Sequence, residues 1–115
     1  MALRLIHKEG EGTIVRSRHG IFEFEVTQVF RHEGRSITHV NFMRDGKFKH
    51  SFLLCNWMPS VRISEGFLIE LDKKQTRKER TIRLHYSAAP EYLIDRKRFR
   101  DDGQMKSRVF NNSLP

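Results

Sequence analysis

Four cations fall within five residues at Arg96, Lys97, Arg98 and Arg100, directly behind a short apolar run. Six more lie between Asp72 and Arg83 beside only two acids. A guanidinium presents a planar fork that suits guanine edges and phosphate oxygens. The whole chain of 115 residues carries 22 Lys and Arg against 14 Asp and Glu, a net charge of +8. Such an excess favours a polyanionic partner, nucleic acid before an anionic membrane surface or an acidic protein. Other chemistries lack their residues. The six histidines, at 7, 19, 32, 39, 50 and 85, form no His-x-x-x-His pair, and Cys55 has no second cysteine beside which to ligate zinc or form a disulfide. His39 and His50 are placed to approach across a hairpin, but two imidazoles do not make a site. No metal or cofactor is expected. Neither a Gly-x-Ser-x-Gly elbow, a phosphate-binding Gly-Lys-Ser/Thr loop nor a dinucleotide fingerprint occurs. The carboxylates are scattered among cations, which predicts surface ion pairs rather than acid–base work. A non-enzymatic protein is therefore expected; a phosphodiesterase or nuclease would need carboxylates or histidines clustered in one cleft.

The elements that must position these cations have period two. In "IFEFEVTQVF", Phe22, Phe24 and Val26 alternate with Glu23, Glu25 and Thr27, the mark of a half-buried strand. "SITHVNFM" and "KFKHSFLL" flank Arg44-Asp45-Gly46 and read as a hairpin, with Phe48, His50, Phe52 and Leu54 on one face. "VRI" and "GFLIELDKK" follow, split by Ser64-Glu65-Gly66; Pro59 ends strand pairing before them. "TIRLHYSA" turns Ile82, Leu84, Tyr86 and Ala88 inward and Arg83, His85 and Ser87 outward, and "EYLID" is a last short strand. The expectation is an all-β fold, a small antiparallel sheet or barrel-like domain of about seven or eight strands, with a short or disordered C-terminal tail at 101–115. Length and even composition predict a single domain over 1–115. No apolar run is long enough to span a bilayer and Arg4 and Lys8 interrupt any export signal, so the expected location is cytoplasmic, with no membrane partner. Cys55, inside "SFLLCNWM", is expected as a buried hydrophobe.

Two stretches carry a resemblance. "LIHKEGEGTIV" is similar to the opening hairpin of the carbon storage regulator family of bacterial translational repressors: Leu5, His7, Lys8, Gly10 and Glu11 fall on its pattern, although His7 replaces an arginine and Gly12 is additional. The family closes with an apolar-Arg-apolar strand, an Ala-Pro step and a final strand ending in His-Arg. From Ile82 to Arg96 the span is the same, and Arg83, Ala88, Glu91, Ile94 and Arg96 match, with Pro90 displaced by one and Asp95 in place of the histidine. "IFEFEVTQV" resembles the third family strand. The likeness covers about forty-five of the 115 residues. It divides the chain into core strands at 1–30 and 81–100 and inserted hairpins at 31–80; an alternative register takes "GFLIELDKK" as the third strand.

The resemblance implies an RNA-binding repressor of translation. In that family two chains interlock, the first strand of one beside the last strand of the other, and cations from both edges bind a GGA triplet in a single-stranded loop of mRNA or small RNA. Carried over, Arg96 is the principal contact, His7 and Lys8 support it, and Arg4 is a neighbour. Arg83, Lys97, Arg98 and Arg100 would add phosphate contacts that position the RNA without reading it. Tyr86, Tyr92 and Phe99 lie in the same stretch; core packing accounts for the tyrosines, and Phe99 is the hardest to bury. The expected partner is RNA, with a homodimer. Asp95 counts against this reading, since a carboxylate beside the groove repels phosphate. Two other readings stand beside it. One is a protein-binding inhibitor or adaptor that docks through Phe42, Phe48, Phe52 and Trp57. The other is a nonspecific basic nucleic-acid-binding domain.

Overall fold

The alternating stretches form nine antiparallel strands in the computed structural model, which describes residues 1–58, 60–75, 78 and 80–100. The expected tail at 101–115 and the break at Pro59 lie outside the described residues. In chain order the strands are β1 (Ala2–Lys8), β2 (Glu11–Ser17), β3 (Gly20–His32), β4 (Arg35–Arg44), β5 (Lys47–Cys55), β6 (Val61–Ser64), β7 (Phe67–Leu71), β8 (Thr81–Ala88) and β9 (Leu93–Arg98). No helix occurs among the described residues. The strands make two sheets, a four-stranded one in the order β1-β8-β7-β6 and a five-stranded one in the order β5-β4-β3-β2-β9.

The inner faces of the two sheets supply one core. Phe22, Phe24 and Val26 of β3 meet Val40 and Phe42 of β4 on one side, and Phe67, Ile69, Ile82, Leu84 and Tyr86 come from the other. Phe24 stacks on Phe42 with centroids 5.2 Å apart, and Phe67 stacks on Tyr92, also at 5.2 Å. Tyr92 is fully buried and bonds Ser64 and the Glu65 carbonyl, which closes the β6–β7 turn onto the link before β9. Cys55 is buried, as expected.

Segment 31–80 adds one hairpin to each sheet: β4 and β5 extend the sheet beyond β3, and β6 and β7 extend the other beyond β8. The hairpin around Asp45-Gly46 forms, but a bulge between Phe42 and Met43 alters its outer end. His50, opposite Phe42, lies on the same side as Phe52 and Leu54 and packs edge-on against Phe42 while remaining exposed, whereas Phe48 pairs with Met43 and is exposed. One extra residue in a ladder sends the following side chain to the opposite face. The same register separates His39 from His50, since His39 pairs with Leu53 and bonds Thr27 on the outer face.

β9 also differs from expectation. It begins at Leu93 and runs through Arg98, so Arg96, Lys97 and Arg98 lie within the strand, and Arg100 follows it. Within the chain the first strand lies beside β8 and the last beside β2, and each is the edge strand of its sheet.

Candidate nucleic-acid interface

The site grows from the turn between β1 and β2, where Gly10 at φ +91° gathers three segments. Its N–H donates to the Val26 carbonyl, and its own carbonyl accepts the N–H groups of Phe99 and Arg100. A Cβ on Gly10 would lie 3.1 Å from that of Arg100. Gly12 is tighter still. A Cβ there would fall 1.7 Å from the Phe24 carbonyl oxygen, so the residue that looks additional in the sequence is the one that lets β2 lie against β3. Together these glycines bring the C-terminal cations alongside the first strand.

Most of those cations are already matched. Lys97 pairs with Glu23, Arg98 lies 4.0 Å from Glu11, and Arg100 lies 2.9 Å from Glu25. The Lys97 ammonium also sits 4.9 Å over the Phe99 ring, and Phe99 is half-buried. Carboxylates of β2 and β3 thus face the cations of β9 and the residue two beyond it. Arg96 is different. Opposite Thr13 it lies on the inner side of the strand, and its Nη1 donates to the Ile6 carbonyl at 2.6 Å. It has no carboxylate partner among the described residues.

The Ile6 carbonyl is available because of register. Met1 and Ala88 exchange both backbone hydrogen bonds, so alternate residues of β1 bond to β8, and the backbone groups of Ala2, Arg4, Ile6 and Lys8 face the strand's open edge. Lys8 N–H is taken by Glu11, and Ile6 C=O by Arg96. The side chains of Arg4, Ile6 and Lys8 share the exposed outer face. Arg83 of β8 stands directly opposite Ile6. Ile6, itself 36% exposed, is thus ringed by Arg4 and Lys8 along its strand, Arg83 across it and Arg96 at its open edge.

His7 is not part of that surface. It points inward, is fully buried, and its Nε2 bonds the Tyr86 hydroxyl at 2.9 Å, which Thr13 also reaches at 3.3 Å. Burial first and the Arg96 charge second hold the His7 imidazole down at about 4. Burial pushes the Tyr86 phenol above its ordinary range. Both groups are neutral at pH 7, and His7 lies at a notch of about 150 Å³ lined also by Glu11, Gly12, Arg96, Lys97 and Arg98. Tyr86 and Tyr92 are core residues that no base can reach. Asp95 pairs with Arg16 at 3.3 Å and lies on the opposite face of β9 from Arg96, so it does not stand beside the ring.

Arg4 and Arg83 also reach a second feature, a cleft of about 470 Å³ on the outer face of the four-stranded sheet, lined with Glu70, Asp72, Lys73, Lys74 and His85. The cation run from Asp72 to Arg83 supplies four of its residues, but spacing could not bring in Arg4, Glu70 and His85, which come from β1, β7 and β8. Of the aromatics read as a docking surface, Phe42 is buried and Phe52 packs against the core, while Phe48 and Trp57 are exposed at 60% and 57%. Arg35 lies 5.4 Å over the Trp57 ring. Comparisons with protein-family models, with curated proteins and with solved structures find no match.

Proposed function

We propose that the chain binds single-stranded RNA across the outer face and open edge of β1, with Arg96, Lys8, Arg4 and Arg83 as its contacts. One observation carries the reading: cations from both ends of the sequence surround a single exposed apolar residue, Ile6, with the Arg96 head fixed by the Ile6 carbonyl. Apolar surface ringed by guanidinium and ammonium groups suits an unpaired base flanked by phosphates. Arg96 is the group for base recognition, because its place within β9, opposite Thr13, fixes its stem while the guanidinium stays wet. Lys97, Arg98 and Arg100 are structural in this reading. Loops bearing a GGA triplet are the expected ligands, following the resemblance of the terminal strands, and occupancy of such a loop in mRNA would block ribosome access and repress translation.

Titration of a fluorescent hairpin bearing a GGA loop, against the same stem with a scrambled loop, at two salt concentrations, tests this. The intact loop should bind about tenfold tighter, a difference of about 1.4 kcal/mol, and both complexes should weaken as salt rises. Equal affinity for the two loops would leave only a nonspecific basic protein.

A further inference from the structure

The cleft on the outer face of the four-stranded sheet is built, and the RNA reading does not use most of it. Asp72 is 8% exposed, and its Oδ2 makes no hydrogen bond. It lies 3.4 Å from Arg4 Nε and 3.9 Å from Arg83 Nε. Among the described residues no hydrogen bond engages the terminal nitrogens of either arginine. A buried carboxylate that holds two guanidiniums by Nε leaves their forks for a ligand. Gln75 fixes the loop that follows: its Nε2 donates to the Asp72 and Arg83 carbonyls at 2.7 and 2.8 Å, and its Oε1 accepts Arg83 N–H at 2.9 Å. Lys73 and Lys74 are held beside Arg83 as a result. His85 Nδ1 bonds Glu70 at 3.0 Å, and His85 Nε2, also in the cleft wall, has no partner.

Charge and size together select the ligand class. Four cations, Arg4, Lys73, Lys74 and Arg83, face two carboxylates, Glu70 and Asp72. The surplus of two positive charges matches the dianion of a phosphomonoester better than the single charge of a phosphodiester. A volume of about 470 Å³ greatly exceeds one phosphate and falls within the range of small-ligand sites. We propose that this cleft binds a phosphomonoester with a nucleoside-sized substituent, its phosphate between the Arg4 and Arg83 forks and beside Lys73 and Lys74, either as a free nucleoside monophosphate or as the 5′-phosphorylated end of an RNA. Segment 31–80 then completes the site by supplying β7 and the lysine loop.

Amide and side-chain NMR of the full chain, titrated at constant ionic strength with AMP, adenosine, and a short RNA with and without a 5′-phosphate, tests the proposal. AMP should shift Gln75, Arg83 and His85 saturably and bind about tenfold tighter than adenosine, and the 5′-phosphorylated RNA should reproduce those shifts. The Lys73→Ala/Lys74→Ala variant, altered only at exposed loop positions, should lose about tenfold in AMP affinity. Arg96→Ala should leave AMP binding unchanged, which separates this site from the ring around Ile6. Equal binding of AMP and adenosine, or AMP binding unaffected by the lysine variant, would overturn it. So would identical cleft shifts from RNA lacking the 5′-phosphate, since backbone diesters would then suffice. If AMP competes away the 5′-phosphorylated RNA signal, both sources share the site; AMP shifts without RNA shifts assign it to the free nucleotide.

Discussion

At the scale of single residues, Arg96 and His7 are coupled. The Arg96 guanidinium caps the Ile6 carbonyl and adds to the burial that keeps His7 neutral. The folded chain holds His7 at about 4 against an unfolded value near 6.5, so between these pH values the unfolded chain binds the extra proton. This stability is fully present above pH 6.5 and is lost as pH falls toward 4, to the extent of about 3 kcal/mol. Urea melts of wild type and His7→Gln from pH 7 to 4.5 should show their difference changing by about that amount, with the wild type losing more on acidification; parallel curves would contradict the buried, neutral imidazole. Arg96→Ala should cost the fold only about 1 kcal/mol, because its one hydrogen bond is exposed. The arginine was legible in the sequence as a candidate contact, although it lies within β9 rather than behind a strand. The burial of His7 was not: an inward position on β1 and an outward one differ by a single residue of register, and the motif that singled out His7 carried no information about the face.

At the scale of elements, β9 is held by charge. Its sequence, LIDRKR, has too little apolar alternation to announce a strand, and reading it as a strand end followed by a solvated run placed the boundary too early. Beside its backbone ladder with β2, carboxylates distant in sequence, Glu11, Glu23 and Glu25, meet the cations of this segment, visible only once β2 and β3 are aligned. A double-mutant cycle on Glu25→Gln and Arg100→Gln should give a coupling of about 0.5–1.5 kcal/mol in thermal or denaturant unfolding; additive losses would mean that the pair does not dock the strand. Gly12→Ala should destabilise by about 2 kcal/mol or more, since the added methyl falls within bonding distance of the Phe24 oxygen. A melting temperature close to wild type would show that β2 can move away from β3. The strands β3, β4, β7 and β8 were readable from alternation because each buries one face. The bulge that exposes Phe48 was not, because a one-residue slip leaves the composition of the strand unchanged.

At the scale of the whole molecule, the net charge of +8 overstates what a polyanion can reach. Lys97, Arg98 and Arg100 are paired with carboxylates of β2 and β3, and Arg96 with the other cations around Ile6 is left as the proposed interface. Composition correctly pointed to an excess of charge; only topology, which folds both chain ends onto β1, shows where that excess is available. If four cations contact RNA, the slope of log affinity against log salt for a single-stranded ligand should be about −3, whereas contact by all seven lysine and arginine candidates would give about −5. The central claim is that Arg96 serves the ligand while its neighbour Arg100 serves the fold. The most direct test compares Arg96→Ala and Arg100→Ala in anisotropy titrations with one GGA-loop hairpin at one salt concentration, on samples shown to be folded. The account predicts that Arg96→Ala binds about tenfold more weakly and Arg100→Ala within about twofold of wild type. Wild-type affinity in Arg96→Ala, or an equal loss in both, would contradict it.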